Sequence, residues 1–233
     1  MHVNIPRRIF AIWLSEGSSI PEVVKKCLAS QHIPGYEHRL ITLGNCFKDS
    51  DYIRQALSSR HRCRWVKASD YLRLYYLLTE GGIYLDTDAE VLPGKDFEPF
   101  LGYRMFMGRE YKGWTCNHLI GAEKGYPFIE SWMRKMEADF RGDDERVFET
   151  GIELATRGYW EYGAGGVRTV QEFMDGVVPS VTPGLRWYKE GFGLFSPEYF
   201  CPWVPDDEKN PAVGRQRITP NTVVVHHNMN SWQ

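Results

Sequence analysis

The chain has no pair of cysteines at CxxC spacing. Its five cysteines stand at positions 27, 46, 63, 116 and 201, an odd number spread along the length. That pattern excludes a zinc ribbon and a disulfide framework, and it reads as buried, inert thiols in a reducing compartment. His61-x-Cys63 has no partner pair nearby to complete a metal site. Long apolar runs are also missing. The longest, such as Ile83–Leu85 and Val223–Val225, are strand-sized, far below the ~18 residues of a membrane span. Met1 to Arg8 carries no apolar signal core, so a cytoplasmic protein is expected. Nor is there an excess of one charge: 28 Lys+Arg stand against 30 Asp+Glu. With no basic field, a nucleic-acid partner is excluded.

Several catalytic signatures are absent too. No G-x-S-x-G elbow and no H-E-x-x-H occurs. A calcium loop starting at Asp86 would need glycine and glutamate where Val91 and Phe97 stand. A P-loop ending at Gly94-Lys95 would need a glycine at Ala89. No internal repeat or low-complexity tract is found. What remains is 233 residues that are 42% hydrophobic and 14% aromatic, enough for one well-packed domain and too aromatic for disorder.

The first half alternates strand and helix, the pattern of an α/β sheet. Ile5 to Leu14 and Tyr36 to Leu43 read as strands; Pro21 to Ser30 and Asp51 to Ser59 read as helices. Trp65 to Glu80 is apolar nearly all round, as a buried helix is. Gly81-Gly82 ends it, and Ile83-Tyr84-Leu85 is a short strand of the kind buried on both faces. Further on, Met105 to Gly108 and Leu119 to Ala122 are expected strands. Phe128 to Phe140 and Glu145 to Thr156 are expected helices, and Gly163 to Gly166 a flexible loop. Pro197 to Pro205 reads as an irregular aromatic segment, Thr222 to His226 as a last strand, and Asn228 to Gln233 as a tail.

Chemistry concentrates at three places. Ser69, Asp70 and Arg73 share one face of the buried helix, and buried charges must be paired or bound to something. Asp86-Thr87-Asp88 leaves the end of the buried strand, and an extended course would turn both carboxylates to one side. Ligands of open α/β sheets bind at that end of the strands, and hard oxygen donors suit Mg²⁺ or Mn²⁺ bound to phosphate oxygens. The C-terminal run His226 to Trp232 offers hydroxyl and indole donors suited to phosphate. On these residues alone, a metal-dependent nucleotidyl or phosphoryl transferase and a non-catalytic sugar-binding module remain open beside a sugar transferase.

In order along the chain stand Ile5-Pro6-Arg7-Arg8-Ile9 with Trp13, then Ala68 to Arg73, then Gly81 to Asp88. Asn117 with Gly121-Ala122-Glu123-Lys124-Gly125 follows, then Pro197 to Phe200, and last His226-His227 with Ser231-Trp232. With these segments the chain resembles the bacterial D-x-D glycosyltransferases of family 32, the capsular-polysaccharide and mannosyltransferase-like enzymes. It is more distantly similar to the clostridial glucosylating toxins. The resemblance implies a GT-A fold, a Rossmann-like mixed sheet flanked by helices, in a single domain with a C-terminal lid segment. Residues 1–125 would form the nucleotide-sugar and metal-binding core, and residues 126–233 the acceptor side and closing tail.

It also implies a retaining hexosyltransferase, with Mn²⁺ or Mg²⁺ as cofactor and a nucleotide-diphosphate sugar as donor, UDP-sugar favoured over GDP-sugar. The acceptor would be a glycan or lipid-linked glycan, with peripheral contact at the inner membrane left open. By the same likeness Trp13 would stack on the nucleoside. Ser69, Asp70, Arg73, Tyr84 and Asp86 would bind donor, with Asp70, Arg73, Asp86 and Asn117 closest to the transferred sugar. Asp88 and Asp86 would hold the metal, completed by His227 or Asn228. Ser231 and Trp232 would close over the phosphates. Two departures stand out: the family's histidine in the first strand is Phe10, and its Thr-Gly-Pro is Ala164-Gly165-Gly166.

Overall fold

The computed structural model describes residues 3–59, 64–110, 115–138, 185–189, 191–207 and 210–229. The expected helix at 145–156 and the loop at 163–166 lie outside them. Among the described residues no helix is long and apolar enough to cross a membrane.

Strand β1 (Arg8–Trp13) leads through α1 (Glu22–Ser30) to β2 (Glu37–Thr42), which pairs parallel with β1. Helix α2 (Asp51–Ser58) starts at Ser50, whose hydroxyl accepts from the Ile53 amide at 3.1 Å. That bond satisfies one of the free N–H groups at the helix start. Helix α3 (Arg64–Glu80) runs into β3 (Gly82–Leu85). The reversal needs Gly81 at φ +72°, where a side chain would be strained and its Cβ would meet the Lys124 amide at 2.7 Å. β4 (Ala89–Val91) and a 3₁₀ turn (Glu98–Phe100) follow, then β5 (Met105–Arg109), β6 (Thr115–Ala122) and α4 (Pro127–Ala138).

Beyond them come β7 (Leu185–Lys189), β8 (Phe192–Phe195), a helical turn α5 (Pro197–Phe200), β9 (Trp203–Asp207), β10 (Asn210–Gln216) and β11 (Val224–His226). Pro197 to Pro205 is therefore regular, not the irregular segment expected: a helical turn followed by a strand paired antiparallel with β10.

The main sheet has the order β2-β1-β3-β6-β5-β8-β7, parallel from β2 through β3 and mixed beyond. This is the mixed sheet flanked by helices that was expected. Alternate residues of the central strands feed opposite faces, as the pleat requires. Phe10, Ile12, Tyr84, Met105, Met107 and Ile120 pack with α2, α3 and α4. Ile9, Ile83, Leu85, Phe106 and Leu119 pack with Phe97, Phe100, Phe200 and Val224 on the other face. Gly121 lets β6 lie against the Phe106 ring, which a Cβ there would overlap at 2.0 Å. Because β1 and β3 run parallel and β6 antiparallel, one edge collects the end of β1, the end of β3 and the start of β6.

Candidate functional site

At that edge the chain leaves β3 through Asp86-Thr87-Asp88 as a tight turn, closed by the Ala89 amide donating to the Asp86 carbonyl at 3.0 Å. The extended course expected for D-x-D is therefore replaced by a reversal into β4. The turn still brings the carboxylates together, because it folds Asp88 back toward Asp86. Gln31, fully buried at the end of α1, clamps it: Nε2 donates to the carbonyls of Asp86 and Ala89, both at 2.9 Å. The Asp86 amide in turn donates to the His118 carbonyl on β6 at 2.8 Å.

β11 pairs antiparallel with β4, setting His226 opposite Ala89. This register carries the His226 ring to the turn. Its Nε2 lies 3.1 Å from Asp88 Oδ1 and 3.6 Å from Asp86 Oδ2. Donor atoms of Asp86, Asp88 and His226 all fall within 4.8 Å of one another. Two carboxylates and an imidazole make a donor set suited to a hard or borderline divalent cation.

His227 and Asn228, expected beside the metal, are directed otherwise. His227 turns to Glu90, with Nε2 2.9 Å from Oε2, while its amide donates to the Asp88 carbonyl. His226 is the last residue of β11 and His227 lies just past it, and of the two rings it is that of His226 that meets the turn carboxylates. Asn228 is exposed and takes φ +49°, a bend after which the Met229 amide donates to Asp88 Oδ2 at 2.8 Å. Ser231 and Trp232 lie outside the described residues.

Asp88 is almost fully buried, and burial alone would raise its carboxyl. The hydrogen bond and charge of His226, with the Met229 amide, instead hold it well below the usual range. The imidazole answers in the opposite sense. Burial would lower it, but the bond and charge of Asp88, with Asp86 and Glu110, raise it above the ordinary histidine value.

Arg73 anchors the other side. Its guanidinium meets Asp70 Oδ1 at 2.9 Å, the Asn117 carbonyl at 2.7 Å and Asp86 Oδ1 at 3.6 Å, and lies over the Tyr84 ring at 4.5 Å. Burial works against its charge, yet the surrounding Tyr84, Asp70 and Asp86 raise its affinity for the proton. Tyr84 donates its hydroxyl to Asp86 Oδ1 at 2.5 Å, and Asn117 Nδ2 reaches Asp70 Oδ1 at 3.4 Å. Ser69, one turn before Arg73, faces it at 3.5 Å. So Ser69, Asp70, Arg73, Tyr84, Asp86 and Asn117 form one connected polar group. The Asp70–Arg73 pair is more than a local salt bridge, since it ties α3 to β6 and to the turn.

Trp13 ends β1 on the same edge. It packs on Ala11, Val24 and Leu28, and its buried indole N–H has no hydrogen-bond partner. Gln31, His118 and Glu110 were not singled out by residue type, and His226 was named only within the C-terminal run, with no metal role. Of these, His226 had a signal: it closes the apolar run Val223–Val225, which fixes the face it takes.

Residues 21–102 match the family described as "Glycosyltransferase sugar-binding region containing DXD motif". That stretch covers α1 through the 3₁₀ turn and includes Asp70, Arg73 and both carboxylates of the D-x-D turn. A solved structure of the PaToxG glycosyltransferase is similar over 69% of this chain and 71% of its own, at 19% identity and a TM-score of 0.52. A glycosyltransferase involved in the glycosylation of the major capsid of PBCV-1 aligns over 94% of this chain and 92% of its own, at 12% identity and a TM-score of 0.41. No curated protein matches the chain. The family match supports a transferase enzyme, and the likeness to the PaToxG structure shows a shared fold.

Proposed function

We propose that the chain is a metal-dependent, retaining glycosyltransferase. It moves a hexose from a nucleotide-diphosphate sugar, a UDP-sugar before a GDP-sugar, to a hydroxyl of a glycan or lipid-linked glycan in surface polysaccharide synthesis. The reaction is assigned to the cytoplasm, with the acceptor presented at the inner membrane. The observation that carries this reading is the convergence of Asp86, Asp88 and His226 at the carboxyl edge of the sheet, inside a segment matching the D-x-D family.

The donor set fits Mn²⁺ or Mg²⁺, which when bound would offset the charge that grows on the departing diphosphate. In this reading Asp88, Asp86 and His226 hold the ion, and His226 takes the role expected of His227 or Asn228. Arg73 keeps Asp86 and Asp70 oriented. Asp70 and Asn117 accept and donate hydrogen bonds at the sugar hydroxyls. Trp13 stacks on the base, Ser69 and Tyr84 line the donor pocket, and Ser231 and Trp232 donate to phosphate oxygens. The acceptor oxygen bonds the anomeric carbon as the bond to the diphosphate breaks, and the hydroxyl proton passes to the leaving phosphate oxygen. Attack on the face the diphosphate leaves retains configuration. Positioned donors of this kind contribute about 10²–10³-fold each.

The test is a panel of UDP- and GDP-sugars with Mn²⁺ or Mg²⁺, scored for free nucleoside diphosphate. One donor is expected to be turned over, and Asp88→Asn to lose that turnover by about 10²–10³-fold with little change in unfolding temperature. Release of monophosphate or pyrophosphate would overturn the reading in favour of phosphoryl transfer. Sugar binding without turnover would make the chain a binding module.

A further inference from the structure

A second group of ligating side chains lies outside the D-x-D turn. Glu110 follows β5, His118 sits on β6 and Cys201 follows α5, and their donor atoms lie within 4.8 Å of one another. His118 is 1% exposed. Its Nε2 is 3.0 Å from the Phe200 carbonyl, an acceptor only, so Nε2 carries the hydrogen and donates. Nδ1 is then a bare lone pair, and it is buried with no hydrogen-bond partner. A buried acceptor left unmet costs roughly 1–3 kcal/mol, which a fold does not normally retain without a use. The same arrangement is what a metal-bound histidine shows: one nitrogen donating to a backbone carbonyl, the other free to ligate.

We propose that Glu110, His118 and Cys201 form a second cation site, taking zinc or a similar borderline transition ion. One oxygen, one nitrogen and one sulfur suit such an ion, unlike the oxygen-rich set at Asp86 and Asp88. A tetrahedral zinc with bonds of about 2.0–2.3 Å spaces its donors roughly 3.3–3.8 Å apart, so the cluster needs only a small contraction. Burial disfavours the charged form of each: Glu110 is pushed up to about 7, Cys201 up to about 12, and His118 well below the ordinary value. Binding would release the Cys201 proton, and that of Glu110 where it is held, to solvent, with the fourth position left to water. The two sites share no residue. They touch through the stacked rings of His118 and His226, 4.2 Å apart. This inference stands without the transferase reading.

Cobalt is the probe, because sulfur ligation gives a thiolate-to-metal charge-transfer band in the near ultraviolet. Titrating the full chain with Co²⁺ should produce that band, and Zn²⁺ should displace it. Cys201→Ser should abolish it, while Asp88→Asn should retain it. Glu110→Gln, which changes no volume, should weaken Co²⁺ binding by about 10-fold or more. Absence of the band in the natural chain overturns the proposal. So does a band that survives Cys201→Ser, a band lost in Asp88→Asn, or unchanged affinity in Glu110→Gln. None of these readouts uses sugar turnover, so they are independent of whether a donor is consumed.

Discussion

The two clusters at this sheet edge are neighbours with opposite electrostatics. At the D-x-D turn the charged forms of Asp88, His226 and Arg73 are favoured. Asp88 is depressed by His226, His226 is raised by Asp88, and Arg73 is ringed by Asp70, Asp86 and Tyr84. Around Glu110, His118 and Cys201, by contrast, burial is the largest influence and disfavours the charged form of each. The carboxylates of the turn are bonded by Tyr84, His226 and the Met229 amide, while the Nδ1 atoms of both His118 and His226 are buried without a partner. Stacked imidazoles, not distance, separate the two. A charged turn is poised for a hard cation and an anionic ligand; a pocket where burial disfavours charge is not, and binding there must displace the Cys201 proton.

Breaking the charged side should have the largest effect on stability. Arg73→Met leaves Asp70, 3% exposed at its side chain, without its buried countercharge. Removing one partner of such a pair costs about 3–5 kcal/mol. Denaturant unfolding should register that loss, and a change under about 1 kcal/mol would mean Asp70 is compensated by its other neighbours. Gln31→Leu comes next. It keeps the volume near α1 but removes both clamps on the turn carbonyls, so Mn²⁺ affinity should fall by about 10–100-fold while the fold persists. Calorimetric titration with Mn²⁺ checks it; equal affinity would show that the turn holds itself.

The smallest expected effect is on acid stability. His38 hydrogen-bonds Gln31 at 3.3 Å, and burial together with nearby His32 lowers it to about 4 from 6.5. A base lowered on folding binds its proton more tightly unfolded. Its stabilising contribution is complete above about 6.5 and is lost as pH falls toward 4. Thermal unfolding from neutral to acidic pH should therefore decline less in His38→Gln than in the natural chain.

Helix α3, the Gly81 reversal and β3 were legible in the sequence because local signals agree there: an all-round apolar helix, paired glycines and a short apolar strand. The region from β7 to β10 was not, because β8 is placed by pairing with β5, a long-range contact that no local pattern encodes. The same limit governs the site. Asp70, Arg73, Asp86 and Asp88 were legible because they cluster in one segment. The D-x-D turn was not, since Asp-Thr-Asp-Ala lacks the glycine or proline that marks most turns. The histidine grouped with Asp86 and Asp88 is His226, next to the His227 expected there, and no residue-type signal distinguishes two adjacent histidines. Glu110, His118 and Cys201 are scattered along the chain, and only the sheet order collects them.

The most direct test of the charged turn is Mn²⁺ binding by the full chain as a function of pH. Ligation requires His226 without its proton, and that proton is held more tightly than usual. Affinity should therefore rise by up to about tenfold per pH unit until His226 has titrated, then level off, and the pH dependence should vanish in His226→Gln. Mn²⁺ binding that is independent of pH in the natural chain, or unchanged by both His226→Gln and Asp88→Asn, would contradict a cation held by Asp86, Asp88 and His226.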